Sequence, residues 1–131
     1  MSSGASYGHA YGFAICSLME MQWLHGSAIH SGEFFHGPFE VTDKETNFIV
    51  LVNEGSTRPL DQRVLMFLER YAKNYEVIDA QELGIGALPG SVVAYFNPIL
   101  FYSVLSDYRE ALAKIRNHPL ETRRYMGKVE Y

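Results

Sequence analysis

The chain has 131 residues, 47% of them apolar and 20% charged, with a net charge of −4 and a sequence pI near 5.7. This is the composition of one soluble globular domain with a single core, and it lacks the basic stripe that nucleic-acid or anionic-membrane binding requires. No stretch reaches the roughly 18 consecutive apolar residues of a membrane span. Met1-Ser2-Ser3-Gly4 has neither the basic nor the apolar region of a signal peptide, and the single Cys16 excludes an internal disulfide, so the expected compartment is the cytoplasm.

From Tyr7 to Leu24 the sequence is apolar nearly all the way round, which predicts a helix buried in a larger body or at a subunit interface and ended by Gly26. A short second helix is predicted over Ser27–His36, before the Gly37-Pro38 breaker. Phe48–Val52 is a continuous apolar run rich in β-branched residues, as in a parallel strand buried on both faces. Ser56 or Thr57 can cap the next helix, Pro59 suits its first turn, and Leu60, Val64, Leu65, Phe67, Leu68 and Tyr71 form its apolar stripe. Glu76–Asp79 and Val92–Phe96 are the next strand candidates, and Asn97-Pro98 opens a long helix with Ile99, Leu100, Val104, Leu105, Tyr108, Leu112 and Ile115 at helical spacing. Alternating strands and helices predict a three-layer α/β/α sandwich with a mainly parallel sheet. The chain opens at what reads as the turn after a first strand, so that strand is expected to be missing.

Glu20 is the one formally charged residue before Glu33, and it lies in an apolar helix beside Cys16, Ser17, Trp23 and Leu24. Burial raises a carboxyl pKa toward neutrality, the range a base for carbon-acid chemistry needs; a carboxylate satisfied at the helix edge fits the spacing as well. His36 sits before Gly37-Pro38, where a helix C-terminus favours imidazolium; a simple capping histidine is the plainer reading of it alone. His30, Glu33 and His36, with His25 upstream, do not fall on one helical line, and neither common helical zinc spacing is present. Ser2, Ser3 and Ser6 near the first helix could hold an anion, although such starts are more often plain turns. Arg123 and Arg124, in the charged tail, read most simply as a solvated face.

Gly32-Glu33-Phe34-Phe35-His36-Gly37-Pro38 resembles the Gly-Glu-x-x-His-Gly-Pro signature of the second sugar isomerase (SIS) domain in glucosamine-6-phosphate synthase and its relatives. Family members carry a catalytic Glu sixteen residues before that His, which lands on Glu20, and Arg124-Tyr125-Met126-Gly127-Lys128 resembles their Arg-x-x-x-Lys tail. The resemblance covers nearly the whole chain. It implies an SIS fold and a single domain over residues 1–131, the C-terminal half of a two-domain enzyme, with a tail at 118–131. Ser17 and Phe35 stand where the synthases place lysines, and the Phe-Phe-His-Gly-Pro-Phe-Glu stretch and the tail look instead like the fructosamine-6-phosphate deglycases, including those cleaving fructoselysine 6-phosphate.

By this resemblance Glu20 is the base, His36 the acid near the ring oxygen, and Lys128 closes over the substrate; Ser17, Glu33 and Arg124 are substrate-binding candidates. No metal or organic cofactor is implied. The partners implied are a phosphorylated sugar or fructosamine and either a second copy or an N-terminal SIS half, whose Ser/Thr-rich phosphate loop has no convincing counterpart here. In family dimers the catalytic His can serve the neighbouring subunit, so little activity is expected of the chain alone. The rival readings are a phosphosugar ketose-aldose isomerase, a non-catalytic sugar-phosphate sensor and a structural dimerisation remnant.

Overall fold

Strands β1 (Asn47–Val52) and β2 (Asn74–Asp79) pair in parallel in the computed structural model, which describes residues 1–131, with Asn47 opposite Asn74 and Val52 opposite Asp79. Helix α2 (Arg58–Tyr71) makes the crossover between them. The apolar run of β1 is buried on both faces, as its sequence predicts. Phe48, Val50 and Val52 meet Val64 and Leu68 of α2, whereas Leu51 joins Ile78, Phe101 and Leu105 on the opposite side. The first helix and the last lie on that second face, so the chain is an α/β structure in three layers.

The sheet has two strands, not three. Val92–Phe96, expected as a strand, starts a helix instead: α3 runs from Val93 to Arg116 and buries Val93, Asn97, Phe101 and Leu105 at four-residue spacing. Tyr95 is 76% exposed, and Ile99 and Ile115, assigned to the core stripe from sequence, are 64% and 83% exposed. The long helix expected to open at Asn97-Pro98 starts four residues earlier and runs through Pro98. A proline there removes the N–H that would bond the Ala94 carbonyl, and the Asn97 side chain takes its place, Nδ2 reaching Ala94 O at 3.3 Å and Glu54 O at 2.8 Å. Asn97 Oδ1 accepts the Glu54 N–H at 2.9 Å, which fixes the start of α3 to the end of β1.

Helix α1 (Tyr7–Gly12) continues as a π-wound segment, Phe13–Met21, and stops before Gly26. The stop is Trp23, which takes a left-handed φ of 55°, while Leu24 N–H donates to Leu18 O at 2.9 Å. Gly26 serves the returning chain: a Cβ there would stand 3.0 Å from Leu18 Cδ1. The helix expected over Ser27–His36 is absent. Phe34–His36 and Pro38–Val41 are single 3₁₀ turns joined at Gly37, whose φ of 142° suits glycine. The aromatic side chains Phe34, Phe35 and Phe39 cluster on Phe67 of α2, a tertiary contact that outweighs the weak local helix signal.

Met1–Ser3 lies against β1 where a first strand would be. Leu51 N–H donates to Met1 O at 2.9 Å, and Ser31 N–H donates to Ser2 O at 2.9 Å on the other side. At the far edge, Arg58 grips Asp79 with both guanidinium nitrogens, at 2.8 and 2.6 Å. Burial alone would raise the Asp79 carboxyl, but the Arg58 fork and the Gln81 N–H outweigh it and hold the pKa below the usual carboxylate value. A depressed folded-state pKa gives stability that is present above the unfolded value of about 3.9 and lost as pH falls through the folded one. Asp79→Asn should therefore cost about 1–3 kcal/mol at pH 7 in urea denaturation, with the gap from wild type closing below about pH 4; a gap constant with pH would rule out this origin.

Candidate active site

Glu20 lies on the π-wound segment near the C-terminal end of the first helix, and its winding sets which neighbours it meets. With i→i+5 bonding, Glu20 no longer faces Cys16 and Ser17 as it would on an α-helix. Those two border a different depression with His9, Tyr102 and Arg109. Glu20 opens instead into a cleft of about 370 Å³ with Met19, Trp23, His25 and the tail residues Arg123 to Met126. Its side chain is 27% exposed, and Oε1 accepts an ion pair from Arg123 Nη2 at 2.8 Å. The expected solitary, desolvated carboxylate is thus a partly exposed one with a cationic partner.

Trp23 shapes the cleft through its backbone. A non-glycine residue at φ 55° costs on the order of 1 kcal/mol, and such strain often accompanies functional geometry. The indole stacks edge-on to His118 at 4.6 Å, and the Arg124 guanidinium lies over it, 4.3 Å from the ring centroid. Gln22, fully buried, donates to His118 O at 2.8 Å and its carbonyl accepts from Arg116, tying the end of the first helix to the end of α3. The tail then folds back over Glu20, where Lys128 Nζ donates to Arg123 O at 2.5 Å. Arg123 and Arg124 are therefore not merely a solvated face.

Glu20, Arg124 and, through the Arg123 backbone, Lys128 are brought together. His36 and Glu33 are exposed on the turn beside α2 and do not line this cleft. Phe34, fully buried, and Phe35, with the Arg63 guanidinium 4.2 Å above its ring, anchor that turn rigidly. His30 has a structural role, since its Nδ1 accepts the Gly32 N–H at 3.1 Å and its ring packs edge-on to Tyr7 at 5.3 Å. No group of three His, Cys, Asp or Glu side chains is placed to hold a metal ion.

The serines at the front do not form an open anion site. Ser3 Oγ and Ser31 Oγ donate to the buried Asp61 carboxylate at 2.9 and 2.6 Å, and Ser6 Oγ donates to Asn53 Oδ1 at 2.5 Å. Asn53 in turn gives Asp61 its backbone N–H at 3.0 Å and its Nδ2 at 2.9 Å. Asp61 is thus the hub that joins the entry to the first helix, the turn before Phe34 and the end of β1. Sequence reading missed it, and missed Arg123 as a cleft residue, although it placed Trp23 and Leu24 beside Glu20, where both line the cleft. An aspartate in the first turn of a helix reads as ordinary dipole compensation, and nothing local marks Arg123 as a partner of Glu20.

The chain is 51% identical over all 131 residues to a fructosamine deglycase of Bacillus subtilis, and 34% identical over 122 residues to a fructoselysine 6-phosphate deglycase of Escherichia coli. It superposes, at TM-scores of 0.94 and 0.95 with 50% and 55% identity, on crystal structures from Bacillus subtilis and Salmonella typhimurium described as phosphosugar isomerases. The chain is homologous over all or nearly all of its length to part of these deglycases and phosphosugar isomerases, which are of the SIS type. All of it is matched by these structures and by the Bacillus deglycase, but it spans only about two-fifths of their length: 40% of the Bacillus deglycase, and 40% and 39% of the two structures. No protein-family model matches it. No helix of this SIS chain is long and apolar enough to cross a membrane.

Proposed function

We propose that this chain is one SIS domain, with its tail at 118–131, of a cytoplasmic fructosamine-6-phosphate deglycase, and that Glu20 is its proton-transfer base. The observation that carries the reading is the Glu20 cleft itself: a single carboxylate between an aromatic wall and a basic tail, in a chain whose relatives are named deglycases. Deglycation of the open-chain ketoamine needs a proton taken from C1 and one delivered to C2, giving an aldimine. Water then adds to that C=N bond, and its cleavage gives glucose 6-phosphate and the free amine. Glu20 carries the carbon-bound proton, and a carboxylate already held in a charge pair is positioned rather than free to rotate. Arg124 and Lys128 give the cleft the positive charge that a phosphorylated substrate favours. Ser17 and Glu33, which lie outside this cleft in the single chain, take their substrate-binding role where a second chain completes the site.

The exposed, anchored turn bearing His36 supports delivery of that acid to the cleft of a second chain, a homodimer or an N-terminal SIS half. The solved relatives described as phosphosugar isomerases favour ketose-aldose isomerisation as the second reading, with the same proton transfer and no amine released. Product analysis separates the two. With fructoselysine 6-phosphate and a separately expressed N-terminal SIS half, equal amounts of glucose 6-phosphate and lysine are expected, and far less from this chain alone. Interconversion of ketose and aldose phosphates without amine release would replace the deglycase reading with the isomerase one, and robust turnover by the isolated chain would remove the need for a second half.

A further inference from the structure

Helix α3 packs against the first helix beside a depression of about 220 Å³, which shares no lining residue with the Glu20 cleft. Phe13 and Leu105, packed into the core, give it one apolar side. The other side is polar: His9 and Ser17 come from the first helix and its π-wound continuation, and Arg109 comes from α3. The Tyr102 ring stands exposed beside them, edge-on to His9 at 5.9 Å.

These polar groups lack partners within the chain. Arg58, Arg116 and Arg123 each hold an oxygen, and Arg63 and Arg124 lie over aromatic rings. Arg109 does neither, and its Nε is buried with nothing to donate to. Ser17 is 4% exposed, and its hydroxyl meets no donor or acceptor either. A buried donor left unmade is unfavourable, and a guanidinium is a planar fork of donors that matches two oxygens of one anion. The chain has 15 acidic residues, yet no carboxylate lines this depression. The partner that fits Arg109 therefore comes from outside the chain.

We propose that this depression is a binding site for a small oxyanion, a phosphate or carboxylate group, gripped by the Arg109 guanidinium and met by the His9 ring N–H and the Ser17 hydroxyl. Water alone brings no charge to the guanidinium, and the space is several times the roughly 30 Å³ share of one water. It is also below the roughly 300 Å³ at which sites for drug-sized ligands begin, which selects a small anion, or the anionic end of a larger molecule, over an enclosed sugar phosphate. Ser17 lies three residues before Glu20 on the same π-wound segment, so an anion held there ties that segment to α3 and steadies the element that carries Glu20. The site stands independently of the deglycase reading, because the single chain supplies every group that holds the anion.

The test is titration of the ¹⁵N-labelled chain with inorganic phosphate and, separately, with acetate, each at an ionic strength held constant with sodium chloride. Saturable shifts are expected at the Arg109 Nε–H and the Ser17 amide, and the tighter of the two anions names the ligand's group. Arg109→Gln should weaken that binding by about 10- to 100-fold, and Ser17→Ala by about 2- to 10-fold. As an independent measurement, the tighter anion should raise the melting temperature of the wild-type chain and leave that of Arg109→Gln where it is. Shifts reproduced by sodium chloride alone, the mark of an adventitious ion only, would overturn the proposal. So would saturation at Arg123, Arg124 or Lys128 without Arg109, or an affinity and a melting response that Arg109→Gln does not change.

Discussion

Glu20→Gln is expected to lower turnover of fructoselysine 6-phosphate by about 10²- to 10⁴-fold in the completed enzyme, the range general acid-base groups contribute. The amide keeps the shape of the side chain and can still accept from Arg123, but it cannot take a proton from carbon. The ion pair at 2.8 Å involves a side chain 27% exposed, so its loss should cost no more than about 1 kcal/mol and leave the fold intact. Melting temperature and substrate binding should therefore change little while kcat collapses. Glu20→Asp, which keeps the acid but shortens its reach, should restore part of the rate. A Glu20→Gln enzyme with turnover within a few-fold of wild type would show that another group moves the proton, and the cleft beside the tail would lose its assigned role.

Asp61→Ala should be the most damaging single substitution for stability, costing about 2–6 kcal/mol. The carboxylate is fully buried and accepts from Ser3 Oγ, Ser31 Oγ, the Asn53 backbone N–H and Asn53 Nδ2. Ser3 Oγ also reaches Thr57 O, and Asn53 Nδ2 also reaches Ser2 Oγ and Ser3 O, so these two donors keep a partner when Asp61 is removed. Ser31 Oγ and the Asn53 N–H do not, and each buried donor left unmade costs about 1–3 kcal/mol. Thermal and urea unfolding should show the melting temperature lower by on the order of 10–20 °C. Because Asp61 ties the entry of the first helix to the turn before Phe34, the exchange of amides around Ser31 should rise first. A loss below about 1 kcal/mol would mean that water or relaxation satisfies the freed donors, and Asp61 would cease to be the hub.

Local signals accounted for those elements whose burial is decided within a few residues. The Phe48–Val52 run was readable as a strand because it is apolar on both faces, and Pro59 with the following stripe marked α2. The same local reading misplaced Val92–Phe96, where two β-branched residues suggested a strand. The deciding pattern was the four-residue spacing of Val93, Asn97, Phe101 and Leu105, one member of which is polar and, before Pro98, reads as a helix start. It is apparent only once Asn97 is seen to serve both the proline gap and the Glu54 backbone.

The candidate site divides in the same way. The sequence by itself determined the Gly-Glu-x-x-His-Gly-Pro motif, the position of Glu20 sixteen residues before His36, and the Arg-x-x-x-Lys tail, because each is a short-range arrangement of residue types. The tertiary structure alone decided that Arg123 pairs with Glu20, that Trp23 carries Arg124, that the front serines are consumed by Asp61 and Asn53, and that His36 lies outside the cleft of its own chain. These are contacts between residues far apart in the chain or turned by a change of helical winding. Their free energy depends on packing and on the burial of charge, which no window of neighbouring residues contains.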